Sequence, residues 1–173
     1  MLVPYTPAPE KQAEAFTTPA EIQYVALGGK FDCVPQVNTG ALQVVRHLLN
    51  CDYLWNQVRV KGGAYGVGCQ FNREKEGYFT SYRDPNLGST LTTYHQAADF
   101  LERFDAEERE ITKTIIGTVS GMDTPLTPAM KGRRSMTAYF TGTPLEVLQK
   151  ERDQVLACTK EDIRQTAEVI RAI

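Results

Sequence analysis

Histidine is scarce in this sequence, and that scarcity excludes most of the metal chemistry a chain of 173 residues might carry. Only His47 and His95 occur, whereas hydrolytic zinc is held by three protein ligands with a base nearby. His47 is followed by Leu48, Leu49, Asn50 and Cys51, so neither H-x-x-E-H nor H-E-x-x-H is present. His95 and Asp99 lie four apart on a predicted helix, the spacing of an ordinary exposed pair rather than of a metal site. Cysteine is limited to Cys33, Cys51, Cys69 and Cys158, with no C-x-x-C pair. In a chain with this much core they read as buried thiols of a reducing compartment, a bacterial cytoplasm or an organelle matrix. No apolar run approaches the roughly 20 residues of a membrane span, and the first residues carry no signal-peptide pattern.

Neither sign of charge dominates. Lys and Arg number 19 against 21 Asp and Glu, for a net charge of −2, so no general basic surface awaits a nucleic acid. The densest basic run, Lys131-Gly132-Arg133-Arg134, offers three charges, few against what duplex binding uses, and reads as a solvated helix face. Nucleophile motifs are missing too. Gly117-Thr118-Val119-Ser120-Gly121 lacks the G-x-S-x-G spacing, and Gly121 reads as a helix C-cap. Lys61-Gly62-Gly63 leads into a predicted strand, whereas a phosphate cradle precedes a helix.

What is present is an ordinary globular composition, 42% apolar and 23% charged, enough for one domain with one core. Residues 1–19 hold Pro4, Pro7, Pro9 and Pro19 and read as a linker or extended arm, with a single folded domain over 20–173. Residues 21–28 predict a central strand, apolar on both faces and ended by Gly28-Gly29. Asn38 or Thr39 caps the next helix, whose buried stripe is Leu42, Val45 and Leu49. That pattern stops at Gly62-Gly63. From Ala64 the period becomes 2, placing Tyr65, Val67, Cys69 and Phe71 on one face. The polar run 72–77 joins this strand to an antiparallel one at 78–83. Helices follow on the stripes Leu87–Leu101 and Ile111–Val119, then over 127–140. Two more begin at Thr143-Pro144-Leu145-Glu146 and Thr159-Lys160-Glu161-Asp162, both in capping-box form. The expected class is α+β: a mainly antiparallel sheet with helices on one face and a ferredoxin-like split βαβ core. One further strand is expected beyond Ile173.

The chemistry concentrates in residues 54–68, LWNQVRVKGGAYGVG. Arg59 supplies five fixed donors and a permanent charge. Tyr65 stands at a strand entrance, where a phenol can donate to a carbonyl oxygen that becomes negative. Gly62 and Gly63 between them leave backbone groups open to a bound ligand.

VRVKGGAYG is joined by SYRDPNL at 81–87, by Leu91-x-x-Tyr94-x-x-Ala97-x-x-Phe100-Leu101, by ITKTIIGTVSGMDTPLTP at 111–128, by Lys131-Gly132 and by the Tyr139–Gly142 segment. In order and spacing these blocks, spread from about Ala20 to Ile170, resemble the last quarter of presequence proteases and falcilysin-like peptidases, inverzincins of the insulin-degrading-enzyme type. The resemblance implies a hollow shell of four related α+β domains. Zinc and a glutamate base sit in the first of these, so this chain would bind no metal and be inactive alone. Its partners would be the zinc-bearing N-terminal half and peptide substrates, with no nucleic acid or membrane. Arg59 would anchor a substrate carbonyl, Tyr65 would steady the tetrahedral oxyanion, and Gly62 and Gly63 would line the bound peptide. The alternative is a non-catalytic subunit or scaffold working with a separate zinc-bearing chain.

Overall fold

A computed structural model describes residues 11–173. Most of the expected arm therefore lies outside the described residues, and residues 11–22 are almost wholly exposed and carry no helix or strand. Three strands, β1 (Gln23–Lys30), β2 (Gly66–Phe71) and β3 (Glu76–Asp84), form one antiparallel sheet in the order β1-β3-β2. Seven α-helices accompany them: α1 (Thr39–Leu48), α2 (Gly88–Glu102), α3 (Glu108–Met122), α4 (Pro128–Phe140), α5 (Leu145–Leu156), α6 (Lys160–Gln165) and α7 (Ala167–Ala172). The class is α+β, with helices banked on one face of an antiparallel sheet.

The core lies under that covered face. Val25, Cys69, Phe79 and Ser81 point inward from the strands, and Leu42, Val45, Leu49, Tyr94 and Leu101 meet them from the helices. Asn38 caps α1 by accepting from the Ala41 N–H at 3.0 Å, and the expected stripe of this helix is buried throughout. Beyond Leu48 the helix continues in wider π-helical winding over Leu49–Tyr53 and Trp55–Lys61. This stretch runs beside β2, an edge strand. Asn50 closes that edge locally: its side chain accepts from the Cys69 N–H at 2.7 Å and donates to the Cys69 carbonyl at 3.1 Å. The hairpin turns through residues 72–75, where Asn72 Oδ1 accepts from the Glu76 N–H. Arg73 reaches across to pair with the buried Glu151 of α5.

Several expectations are corrected here. β1 is an edge strand, not a central one, and it runs through Gly28 and Gly29 instead of stopping there. Only Val25 of its residues is fully buried: Tyr24, Ala26 and Gly28 face the open side, so the continuous apolar run reflects one covered face and one aromatic one. The box at Thr143 does not form. Pro144 itself is the N-cap of α5, and Thr143 Oγ1 is shared with Thr141. The box at Thr159 does form with Asp162, but the helix breaks at Thr166, whose hydroxyl donates to the Ile163 carbonyl, giving α6 and α7. Gly121 lies inside α3, which ends at Asp123. Asp99 pairs with Arg171 at 3.1 Å rather than with His95.

The four thiols are all free, and only two are buried. Cys33 and Cys51 are exposed, while Cys69 and Cys158 are covered, burial pushing both of these thiols up to about 12. Thiolate is the reactive form. A disulfide-exchange reagent at pH 8 should therefore titrate two thiols in the native chain and four in denaturant; rapid reaction of all four in the native chain would contradict this packing.

Candidate functional site

The site begins at the end of the π-helical stretch, where Gly62 serves as C-cap. Each glycine of the pair is required for its own reason. A Cβ on Gly62 would lie 2.5 Å from the Val58 carbonyl oxygen, and Gly63 has φ +81°, a left-handed conformation that costs residues with a side chain. The loop is knitted internally. The Gly62 and Gly63 N–H groups donate to the Arg59 carbonyl and the Ala64 N–H to that of Val58. The Gly62 carbonyl accepts from Asn86 Nδ2 at 2.6 Å. Fewer backbone groups are therefore open than the bare glycine pair suggests, and the role of the pair is to turn the chain. Gly63→Ala should strain this turn and lower stability by about 1–2 kcal/mol, measured by urea denaturation; no loss would mean the loop does not need φ > 0.

Tyr65 stands where this loop enters β2. Period-2 alternation puts it inward with Val67 and Cys69; instead it is 67% exposed, because the alternation starts only at Gly66. Its N–H is shared between the Tyr82 carbonyl at 3.1 Å and the Arg83 carbonyl at 3.3 Å. Those acceptors flank a bulge in β3. The register to β1 slips between Gln23, opposite Asp84, and Val25, opposite Ser81, and Arg83 takes φ +48°. An extra residue of this kind re-aims side chains and is frequent beside functional sites. Here it leaves Arg83 outward beside Tyr82, which regular alternation already exposes, and returns Asp84 to the interior.

Arg59 is half-exposed. Its Nε donates to the Tyr65 carbonyl at 3.0 Å, and its guanidinium lies over the Trp55 ring, 4.0 Å from the centroid. Trp55 and Arg59 are four apart on one helical face, so the indole steers the cation toward the loop. The structure thus brings Arg59, Gly62, Gly63 and Tyr65 together, with the arginine clamped to the backbone of the tyrosine.

Sequence reasoning missed what holds this loop. Asp84 is fully buried; it accepts from Thr90 Oγ1 at 2.7 Å and from the Asn86 N–H at 2.8 Å. That Asx turn aims the Asn86 side chain at Gly62. The signal was available in Asp84-Pro85-Asn86, since an aspartate bonding the N–H two residues on is a recognised turn former. Trp55 as a support for the guanidinium was not foreseen. Among the described residues no group of three His, Cys, Asp or Glu side chains comes together to hold a metal; the donor set does not fit a zinc centre.

Residues 13–173 match the family described as the PreP C-terminal domain. The chain belongs to that family. Protein HypA of Clostridium perfringens is 42% identical over 161 residues, which are 93% of this chain and 16% of that protein. Presequence protease 1, chloroplastic/mitochondrial, of Arabidopsis thaliana is 33% identical over 161 residues, covering 92% of this chain and 15% of that one. The chain therefore spans about a sixth of the length of these curated relatives. A Bordetella pertussis Tohama I protein described as a zinc protease shares the fold, with TM-score 0.63 at 16% identity over 83% of this chain and 84% of that one. The family context is that of peptidases, and the expected C-terminal-domain assignment holds. No helix of the described residues is long and apolar enough to cross a membrane.

Proposed function

We propose that this chain is the chamber-forming, substrate-binding C-terminal domain of a zinc metalloendopeptidase that degrades peptides. It lends Arg59 and Tyr65 to an active centre whose zinc belongs to an N-terminal half of the same protein. The observation that carries this reading is the clamp: Arg59 Nε holds the Tyr65 carbonyl at 3.0 Å while the phenol beyond it stays exposed. With its backbone held and its ring edge to face with Tyr82 at 5.8 Å, the phenol has fewer places to go, which lowers the reorganisation needed when charge develops in front of it. Tyr65 Oη would donate to the oxyanion formed as a peptide carbonyl is attacked. Arg59, with one N–H committed to the loop, keeps other N–H donors for a neighbouring substrate carbonyl. The zinc, when bound elsewhere, would supply the activated water; the residues of this chain bind and orient.

The test has two arms. Purified alone, this chain should bind no stoichiometric zinc and cleave no peptide. The longer polypeptide should do both, and an H-x-x-E-H motif should stand in the same reading frame upstream. Finding that motif only in a separate chain would favour the non-catalytic subunit. Finding it in neither would remove the peptidase reading.

A further inference from the structure

The open face of the sheet carries a feature that the proposed roles of Arg59 and Tyr65 leave unused. Tyr24 of β1, Tyr82 of β3 and Tyr65, just before β2, form a row across the sheet. Their ring centroids are 5.4 Å apart for Tyr24 and Tyr82 and 5.8 Å for Tyr82 and Tyr65, both pairs edge to face at 70°. All three rings are exposed. Arg83 lies beside the row, 5.6 Å from the Tyr82 ring.

Tyr82 faces outward in the ordinary alternation of β3, with Tyr78 and Thr80. The bulge returns Asp84 to the interior and at the same time sets the Arg83 side chain on the open side beside Tyr82, at the cost of a left-handed backbone on a residue with a long side chain. An aromatic row and a cation are thus presented together on one exposed face. Neither Arg59 nor Arg83 forms an ion pair among the described residues, so this end of the face is cationic and suited to carbonyl or carboxylate oxygens. The row is continuous with Tyr65, and its two steps together span about 11 Å, roughly three residues of an extended chain at about 3.3 Å each.

We propose that Tyr24 and Tyr82 form a specificity subsite for an aromatic or large aliphatic side chain of an extended peptide. That side chain lies within about three residues of the cleaved bond, and Arg83 holds a backbone oxygen beside it. This rests on the reading of Tyr65 above. Aromatic edges and faces select apolar side chains by contact, and the loss of one such contact changes selectivity by about tenfold or more.

The experiment uses the full-length protein and two peptides that differ only in having Phe or Ser two residues from the cleaved bond. The unmodified protein should prefer the Phe peptide in kcat/KM. Tyr24→Ser should reduce that preference about tenfold through KM, with kcat on the Ser peptide unchanged, whereas Tyr24→Phe keeps the preference. Tyr24 sits exposed on an edge strand, so its variants test the subsite with little risk to folding. Tyr65→Phe, by contrast, should lower kcat on both peptides alike. An unmodified protein without the preference, or a Tyr24→Ser variant that retains it, would overturn the subsite. Loss of the preference with Tyr65→Phe fully active would keep the subsite and overturn the oxyanion role.

Discussion

Tyr65→Phe in the zinc-loaded full-length protein is expected to lower kcat by about 10²–10³ with zinc content and folding unchanged, because one preorganised donor to an oxyanion is worth about 2.7–4 kcal/mol. Arg59→Ala should fall as far for two reasons. It would remove the proposed donor to the substrate, and it releases the Tyr65 carbonyl, which the Nε holds at 3.0 Å. Arg59→Lys should recover little, since an ammonium lacks the planar fork that bonds the carbonyl while stacked on Trp55. The double variant should be hardly worse than either single one, the signature of two residues acting as a unit. Fully additive losses would show that the clamp has no role in catalysis, and near-normal turnover in both single variants would remove the pair from the mechanism. Metal analysis alongside the kinetics separates these effects from zinc loss.

Asp84→Ala should be the most damaging polar substitution in the fold. The carboxylate is fully buried, and its loss leaves Thr90 Oγ1 and the Asn86 N–H without their acceptor. Hydrogen bonds to a buried carboxylate are worth about 1.5–3 kcal/mol each, so losing the two costs about 3–6 kcal/mol, read as a lowered urea midpoint with an unchanged slope. The damage should also spread to the loop. Freed from the Asx turn, Asn86 no longer holds the Gly62 carbonyl, so amide exchange at Gly63–Tyr65 should quicken even under conditions where the chain stays folded. Asn86→Ala should reproduce the local effect with a smaller global one. A stable Asp84→Ala chain with a protected loop would mean the network is ornamental.

The helices and the hairpin were legible because their signals are local. The apolar stripe of α1, the asparagine cap before it and the period change at Ala64 each reflect one element burying one face. β1 was misplaced because sequence shows which residues are apolar and not which face of a sheet is covered; Tyr24 looks like core and stands in solvent. Tyr65 was misjudged for a related reason, since alternation was extended one residue past the point where β2 begins. The bulge at Arg83 escaped because nothing in SYRD announces a left-handed arginine, a conformation imposed by pairing with two neighbouring strands. Arg59 and Tyr65 stand out as candidates only through motif resemblance. Their mutual contact spans only six residues but depends on how the loop between them turns, and the Asp84–Asn86 support behind it joins segments more than 20 residues apart.

Inhibition by a phosphinic peptide, whose tetrahedral anionic centre imitates the attacked carbonyl, tests the central claim most directly. If Tyr65 meets the oxyanion, Tyr65→Phe in the full-length protein should weaken this inhibitor by about 10²-fold while the KM of the matching substrate moves little. Equal inhibition of the unmodified and Tyr65→Phe proteins would contradict the account.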